Sequence, residues 1–566
     1  MTAASATATA TELYPAVNLL AARLRDDVSF SPATCADLDR SEAFPAAAVA
    51  LLDRLGVPAH YVPQRLGGAW RDHDELVHLV RQLAGRDLTV AVAHAKTFLG
   101  AVSVWLANDA GQCGRLATDV LAGVPVAWGL TEPGCGSDLW ATGMAAEPVP
   151  DGYRLTGVKQ PVNNATRGAL MCVLARTGTG RGPRDLSLLL LDKRRLAPGS
   201  YACLPKALTH GIRGADISGL ALTAATVGHD ALVGAPGDGL EIVLRALQLT
   251  RVACAGLSLG AADHALRLVL EYARDRVLYE RRLLDLPHVR RTLGGLCARA
   301  LLVECTTLLA ARSAHTLSGE LSLVSAVAKA FVPTVVDELV AGAAELLGAR
   351  AFLTDVYAHG AFAKLERDHR VVAIFDGNTA VNRQAVLNQL PALARGWSGR
   401  NADHDAVRRA AMLGTPLPPI GALSQRSRAG CSVVQALPTA VTELPAALRP
   451  LGAALLTATE RVQAEIDAHP TLARDVPAES FELVERYEWC FAGAAAVHLW
   501  LANHERRREA WWHEAAWLRG ALALVLERLD APAPGAGQAL DELARLLAAT
   551  GAASVLPVMD LGGEPS

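Results

Sequence analysis

The stretch Trp128-Gly129-Leu130-Thr131-Glu132-Pro133-Gly134-Cys135-Gly136-Ser137-Asp138 is the most informative part of the sequence. Two glycines and a Ser-Asp pair follow Glu-Pro, a composition that predicts a tight turn with exposed backbone N–H groups. Because glycine has no Cβ, such a turn can approach a pyrophosphate closely. No G-x-G-x-x-G follows a strand and opens a helix here, so the sequence does not favour a Rossmann dinucleotide site.

The pattern of the chain changes on both sides of this stretch. From about 126 to 232, short apolar runs bounded by Gly and Pro predict strands, at residues 152–155, 171–175, 186–191 and 220–222. Residues from about 11 to 127 and from 239 to 393 have helical spacing of apolar positions. We therefore expect a mainly α fold with a central, mainly antiparallel β domain.

Residues 396–430 are rich in Gly, Pro, Ser and Arg, which predicts a linker, and residues 431–560 return to a helical pattern. The expected domains are an N-terminal helical domain (1–127), a β domain (128–236), a helical bundle (237–395), the linker (396–430) and an extra helical domain (431–566).

Composition narrows the class of protein. The 566 residues are 51% hydrophobic, and 54 Lys and Arg against 57 Asp and Glu give a net charge of −3. Disordered chains are less apolar, and nucleic-acid-binding proteins normally present a basic face, so we expect a globular protein without a nucleic-acid partner.

Localisation is predicted from three further features. The ten cysteines form no C-x-x-C pair and complete no zinc pattern with histidines, which indicates reduced thiols and no metal site. The N-terminus lacks the basic start and apolar run of a signal peptide. The uncharged stretches of about a dozen residues are shorter than the ~20 that a membrane helix needs. We expect a cytoplasmic protein without a membrane span.

The segment from Leu130 to Asp138 resembles the flavin-loop motif of the acyl-CoA dehydrogenase family, Leu-Thr-Glu-Pro-Gly-x-Gly-Ser-Asp. Further segments resemble family motifs in the right order, and together they cover about residues 15 to 395. They are residues 152–159 (GYRLTGVK), 234–239 (GAPGDG), 250–256 (TRVACAG), 272–279 (YARDRVLY), 364–368 (KLERD) and 374–379 (IFDGNT).

The resemblance implies an N-terminal helical domain, a β-barrel-like domain and a C-terminal four-helix bundle, with FAD between the last two. It also implies the chemistry. A carboxylate takes the α-proton of an acyl thioester as general base, and the β-hydrogen leaves as hydride to the flavin. The product is a 2-enoyl thioester.

Asp376 is the carboxylate that the resemblance implies as the base. The family places a Glu in its closing "EGT" motif or one residue before the Arg of the helical motif; here these positions hold Asp376 and Thr250. Three interpretations remain open. Asp376 acts as base with a re-fitted substrate, or another group or other flavin chemistry is used, or the chain is a catalytically weak member with a structural role.

The resemblance also implies residues that hold the ligands, with Arg251 ordering the region of the base. The expected cofactor-binding residues are Trp128, Leu130, Thr131, Gly136, Ser137, Asn163, Arg276, Tyr279, Gly348, Asn378 and Thr379. The expected substrate-binding residues are Ser137, Thr250, Arg251 and Gly377.

Three positions depart from the family. Pro161 replaces an aromatic residue next to the flavin, Glu345 replaces a Gln that normally meets the cofactor of a neighbouring subunit, and Pro287 stands where a second such Gln is common. We therefore expect FAD to bind, but more loosely than in a typical member.

Partners follow by resemblance as well. The extra C-terminal domain suggests the long-chain branch of the family and hence a homodimer. The thioester carrier is coenzyme A or an acyl carrier protein, and an electron-transfer flavoprotein is the expected electron acceptor. The altered base suggests a non-standard substrate, as in secondary metabolism. The alternatives are an oxidase or flavin monooxygenase on the same fold, and a non-catalytic binding or scaffold protein.

Overall fold

The computed structural model describes residues 13–180, 182–470, 476–507 and 509–555. The first 12 residues, which belong to the segment where we expect no signal peptide, lie outside the described residues, as does the end of the expected extra domain beyond residue 555. The described chain is mainly helical, with one large sheet encoded by residues 126–233. The predicted fold class is confirmed.

The helices that precede the sheet in sequence are α1 (Pro15–Leu24), α2 (Pro32–Ser41), α3 (Ala46–Arg54), α4 (His73–Ala84), α5 (Leu88–Ala107) and α6 (Ala110–Leu121). The strands of the sheet are β1 (Val126–Gly129), β2 (Ala145–Val149), β3 (Gly152–Asn163), β4 (Leu170–Arg176), β5 (Leu186–Asp192), β6 (Tyr201–Leu204), β7 (Ile217–Gly228) and β8 (Leu232–Val233).

A long helix, a short hairpin and a helical bundle follow. They are α7 (Gly239–Asp275), β9 (Val277–Leu278), β10 (Arg281–Arg282), α8 (Pro287–Thr316), α9 (Leu321–Leu347), α10 (Ala349–Phe352), α11 (Ala361–His369), α12 (Thr379–Leu387) and α13 (Leu390–Gly399). The remaining helices are α14 (His404–Ala411), α15 (Ser432–Gln435), α16 (Leu437–Glu443), α17 (Arg449–Ala468), α18 (Ala478–Asn503), α19 (Ala516–Arg528) and α20 (Ala536–Thr550).

The chain divides into two compact units. The sheet unit comprises Val28–Arg71 and Asp87–Thr250. The helical unit takes its described residues from Met1–Asp27, Asp72–Arg86 and Arg251–Ser566. This division differs from the expected order of segments, because α1 and α4 belong to the helical unit although they are encoded before the sheet. Arg81 of α4 explains this placement, since it forms a bidentate ion pair with Asp263 of α7.

The sheet has the strand order β6-β7-β3-β2-β4-β5-β8, and β1 pairs with β4. All pairs are antiparallel except β1 with β4 and β2 with β4. Six of the seven residues of β4 are buried, as a continuous apolar run predicts for a strand covered on both faces. Leu155, Val173 and Leu189 are among the fully buried side chains of its core.

In the helical unit, α8 packs against α9 and against the later helices α14, α18, α19 and α20. The helices beyond residue 431 therefore form the predicted extra helical region, and side-chain contacts tie them to the earlier bundle. Arg383 of α12 forms a bidentate ion pair with Glu488 of α18. Phe331 of α9 packs edge-to-face on Trp489, with ring centroids 4.8 Å apart.

Part of the segment predicted as a linker is helical. Asp403 caps α14 by accepting a hydrogen bond from the Ala406 N–H at 2.9 Å. Val407, Ala410 and Ala411 are buried against the rest of the unit. The Gly- and Pro-rich composition of the surrounding residues hid this short amphipathic helix from the sequence pattern.

The expected absence of a membrane span is not confirmed. By length and composition, three helices are long and apolar enough to cross a membrane: α5, α7 and α8. The argument from uncharged stretches failed because a few charged residues interrupt segments that are otherwise strongly apolar. In the structure these apolar windows are 83%, 89% and 89% buried inside the protein.

Candidate active site

Residues 130–138, which we call the glycine loop, follow β1 in the sheet unit. Leu130 and Thr131 are half-buried, whereas Gly136 and Ser137 are exposed. Gly134 has a φ of 84°, in the left-handed region that favours glycine, and it allows the Cys135 N–H to bond back to the Glu132 carbonyl at 3.0 Å. The predicted tight turn is therefore present.

A buried ion pair holds the glycine loop against β3. Lys159 has no exposed surface, and its Nζ donates to Glu132 Oε1 at 2.7 Å and to the Leu130 carbonyl at 3.2 Å. The backbone N–H groups of Gly143 and Met144 also donate to the Glu132 carboxylate, at 2.8 and 3.0 Å. Four hydrogen bonds thus fix one side of the loop.

These contacts set the charge state of the pair. Burial opposes ionisation of Glu132, but the hydrogen bond and charge of Lys159, with the two backbone donors, hold the pKa of Glu132 below its usual value. Burial lowers the pKa of Lys159, and Glu132 offsets part of that shift. The contacts that fix the loop therefore also favour the charged form of Glu132.

Two polar atoms near the loop are buried without a partner among the described residues. They are Nε1 of Trp128 in β1 and Oδ1 of Asn163 at the end of β3. The Asn163 amide nitrogen is used, since it donates to the Val92 carbonyl at 3.2 Å. A Cβ added at Gly134 or Gly136 would meet nothing within 4 Å, so the loop borders open space. A buried donor and a buried acceptor that lack protein partners fit a polar ligand.

Residues 372–379, which we call the aspartate turn, carry the predicted base in the helical unit. Asp376 has a φ of 56° and Gly377 a φ of 83°, so both are left-handed. Such a conformation is strained for a non-glycine residue and persists only where its surroundings fix it. The Asp376 side chain is half-buried.

Two residues of α7 contact Asp376. Cys254 Sγ–H donates to Asp376 Oδ2 at 3.4 Å, and Arg251 Nε donates to the Asp376 carbonyl at 3.4 Å. Burial lowers the pKa of Arg251 to about 10, and the charge of Asp376 offsets part of that shift. A Cβ at Gly377 would lie 3.4 Å from Arg251 Nη2, so the glycine leaves room for the guanidinium group.

A buried lysine of α9 holds the aspartate turn on both sides of Asp376. Lys329 has no exposed surface, and its Nζ donates to the Val372 carbonyl at 2.7 Å and to the Gly377 carbonyl at 3.2 Å. The Asn382 amide donates to the same Gly377 carbonyl at 2.8 Å. The backbone on either side of Asp376 is thus fixed by donors from two helices.

Asn378 and Thr379 form the start of α12. Asn378 is the N-cap, and its side chain accepts a hydrogen bond from the Val381 N–H at 2.8 Å. Thr379, the first residue of the helix, is half-buried. An N-terminal helix end carries partial positive charge, which favours an anionic or strongly polar ligand group.

The remaining predicted residues are Thr250, Arg276, Tyr279 and Gly348. Thr250 is buried in α7, and its hydroxyl donates to the Leu247 carbonyl at 3.4 Å. Arg276 and Tyr279 are exposed on the β9–β10 hairpin, and Gly348 is exposed where α9 ends. Within the described chain, no hydrogen bond or ion pair joins these three exposed residues to the turn, and their roles stay predictions.

The three departures from the family pattern are all exposed. Pro161 lies in β3 within a register shift between Lys159 and Val162. Glu345 is on the solvent side of α9, and Pro287 is the first residue of α8. Pro287 fits that position because a proline at the start of a helix costs no internal hydrogen bond.

The sequence did not reveal Cys254 and Lys329 as parts of this site. Cys254 follows Arg251 by three residues, a helical spacing that puts both on one face of α7, and this was the available signal. Lys329 stands alone in an apolar helix, where a charged residue that is fully buried indicates a specific partner.

Two family models and a curated relative match this chain. Residues 127–225 match the family model "Acyl-CoA dehydrogenase, middle domain", and residues 237–390 match "Acyl-CoA dehydrogenase, C-terminal domain". The human mitochondrial short-chain specific acyl-CoA dehydrogenase is 26% identical over 362 residues, which are 63% of this chain and 85% of that protein.

Two solved structures share the fold. Butyryl-CoA dehydrogenase from Megasphaera elsdenii is similar with a TM-score of 0.61 and 20% identity, over 68% of this chain and 98% of that one. The prolyl acyl carrier protein oxidase AnaB is similar with a TM-score of 0.61 and 19% identity, over 67% and 98%.

Proposed function

We propose that this chain, which belongs to the acyl-CoA dehydrogenase family of oxidoreductases, is an FAD-dependent acyl-thioester dehydrogenase with Asp376 as its base. The reaction removes the α-proton and the β-hydride of an acyl thioester and leaves a 2,3-double bond. The observation that carries the proposal is the fixed placement of Asp376, whose carboxylate and backbone contact Cys254 and Arg251.

The residues of the sheet unit fit FAD. Trp128 Nε1 and Asn163 Oδ1 are a buried donor and a buried acceptor without partners among the described residues. The exposed part of the glycine loop leaves room for a pyrophosphate, which backbone N–H groups can bind. FAD, when bound, supplies a hydride acceptor.

The chain's own residues then have separate tasks. Asp376 takes the α-proton at its carboxylate. Arg251 and Lys329 donate to backbone carbonyls of the turn and so hold the backbone that carries the Asp376 carboxylate. Positioning matters here because an aspartate is one methylene shorter than a glutamate, and a misplacement of about 1 Å costs on the order of 100-fold in rate. We infer that the substrate is placed closer to the turn than in members with glutamate.

Substrate and partners are part of the same proposal. The thioester is carried by coenzyme A or by an acyl carrier protein, and an electron-transfer flavoprotein accepts the electrons. We further propose a cytoplasmic homodimer with a non-standard acyl group, of the kind found in secondary metabolism. The similarity to a prolyl acyl carrier protein oxidase supports including carrier-bound aminoacyl groups among the substrates tested.

The test is an anaerobic absorption titration of the full-length protein with a panel of acyl-CoA and acyl-carrier thioesters. Bleaching of the oxidised-flavin band by at least one thioester is the expected result. Rapid reoxidation of the bleached protein in air with release of peroxide would identify an oxidase or a monooxygenase. A colourless protein that cannot be loaded with FAD would overturn the proposal in favour of a binding or scaffold role.

A further inference from the structure

Three arginines of the helical unit meet where two helices end. Tyr14 Oη donates to Asp74 Oδ2 at 2.6 Å, and His78 Nε2 bonds Asn18 Oδ1 at 3.0 Å, so α1 and α4 run side by side with an offset of 60 residues. The same offset puts Arg25, just after α1, beside the end of α4. Arg86 follows α4 by two residues.

Helix α7 brings the third arginine. A Cβ at Gly256 would lie 2.6 Å from the Val77 carbonyl oxygen, and one at Gly260 would lie 2.5 Å from the Gly85 N atom. The backbones of α4 and α7 are therefore in close contact and run in the same direction. The next turns of that face of α7 carry His264 and Arg267, which come beside Arg86. We call Arg25, Arg86 and Arg267 the arginine cluster.

The cluster lacks acceptors for its donors. Arg86 Nη2 and Arg25 Nε are buried and have no hydrogen-bond partner among the described residues. Within the same part of the chain, none of the three guanidinium groups has a carboxylate oxygen within 4.0 Å. Asp263, whose charge attracts Arg267, already binds Arg81 through both oxygens, at 2.6 and 2.8 Å.

Burial and the charges of the arginine cluster lower the pKa values of Arg86 and of His264. Burial, with the charges of Arg267 and Arg25, lowers the pKa of Arg86 to about 10. Burial likewise lowers the pKa of Arg267 and brings that of His264 well below its usual value, so the imidazole is neutral. Asp26 and Glu271 attract the cluster from exposed positions.

The partial negative charges of the α1 and α4 C-termini, about half a unit each, offset only part of three positive charges. We propose that the arginine cluster is a binding site for a phosphate-type oxyanion, separate from the aspartate turn and the glycine loop. The anion accepts hydrogen bonds from Arg25, Arg86 and Arg267 and neutralises their charges.

A tetrahedral phosphate suits this geometry better than a carboxylate. It carries more than one negative charge near neutral pH and offers oxygens in several directions, so donors from three separate elements can reach it. A carboxylate is matched by the planar fork of one arginine. The ligand is either free phosphate or the phosphate end of a larger molecule.

Isothermal titration of the full-length protein with inorganic phosphate, pyrophosphate and acetate tests the assignment. We expect phosphate to bind, and Arg86→Gln and Arg267→Gln each to weaken its affinity about 10- to 100-fold, since each removes hydrogen bonds to a charged group. Arg23→Gln is the matched control, because Arg23 is exposed on α1 and should leave affinity unchanged. Tighter binding of pyrophosphate than of phosphate would support the end of a larger ligand, and equal binding would support free phosphate.

The assignment is overturned by any of three results. The first is that the unmodified protein binds neither phosphate nor pyrophosphate. The second is that Arg86→Gln and Arg267→Gln bind phosphate as tightly as Arg23→Gln, which would mean an adventitious ion only. Acetate that binds as tightly as phosphate would overturn the phosphate class. Melting temperatures of the variants establish that each is folded, and two separate arginine variants keep the test valid if one does not fold.

Discussion

The glycine loop and the aspartate turn differ in how much of the family's residue pattern they keep. The loop keeps every fixed letter of the motif and is held by the buried Lys159–Glu132 pair. The turn has Asp376 in place of Glu, and a thiol from Cys254 contacts that carboxylate. The glycine loop has therefore kept the family motif, whereas the aspartate turn has changed at the position of the predicted base. Variants of each region test this contrast.

The largest effect is expected from the buried pair under the glycine loop. Lys159→Met leaves the Glu132 carboxylate without its ammonium partner, and breaking a buried pair in this way costs about 3–5 kcal/mol of unfolding free energy. Urea denaturation measures the loss, and absorbance measures the FAD content, which should fall as well.

The control lies on the same strand. Arg154 forms an exposed ion pair with Glu147, with side chains 50% and 60% exposed, so Arg154→Gln should change stability by no more than about 0.5 kcal/mol. Equal denaturation midpoints for the two variants would contradict the role given to Lys159.

The Lys159–Glu132 pair also predicts how the stability of the protein depends on pH in acid. Because the folded-state pKa of Glu132 is lowered, its contribution is fully present above the usual value of 4.5 and is lost as pH falls through the folded-state pKa. The difference in melting temperature between the unmodified protein and Glu132→Gln should therefore be constant near neutral pH and shrink below pH 4.5. A difference that grows with acidity would have the wrong sign.

A glycine of the aspartate turn should affect rate more than stability. Gly377→Ala strains a backbone with φ of 83° and puts a Cβ 3.2 Å from Asn382 Nδ2. Gly551 has a similar φ of 76° with open space around it, so Gly551→Ala is the matched control. Both should lose about 1 kcal/mol of stability, but only Gly377→Ala should slow flavin bleaching, by about 10-fold or more. Equal bleaching rates of Gly377→Ala and Gly551→Ala would show that the aspartate turn does not affect the rate of the reaction.

Features with local sequence signals were predictable, whereas contacts between residues far apart in sequence were not. The glycine loop, the helical spacing from residue 239 onward and four of the eight strands of the sheet were predictable because their signals are local in sequence. The contacts of the aspartate turn were not, since Cys254 and Asp376 are 122 residues apart and Lys329 and Gly377 are 48 apart. The assignment of α1 and α4 to the helical unit escaped prediction for the same reason, because Arg81 finds Asp263 182 residues away.

The smallest effect is expected at the thiol. Cys254→Ala removes a weak donor to the Asp376 carboxylate, which corresponds to about 0.5–1 kcal/mol and a two- to fivefold slower bleaching rate with unchanged substrate affinity. Cys254→Ser should restore part of the rate. Cys297→Ala, a buried thiol of α8, is the control and should leave the rate unchanged. A loss of substrate affinity at constant rate would instead place Cys254 in substrate binding.

The role of Asp376 as the base is tested by rapid mixing of Asp376→Asn with the thioester under anaerobic conditions. The amide keeps the size of the side chain but cannot take the α-proton. The account predicts that the variant still holds FAD and binds the thioester that bleaches the unmodified protein, while its bleaching rate falls by about 10²–10⁴-fold, the usual contribution of a general base. Bleaching at the unmodified rate would show that another group removes the proton, and the assignment of Asp376 would be wrong.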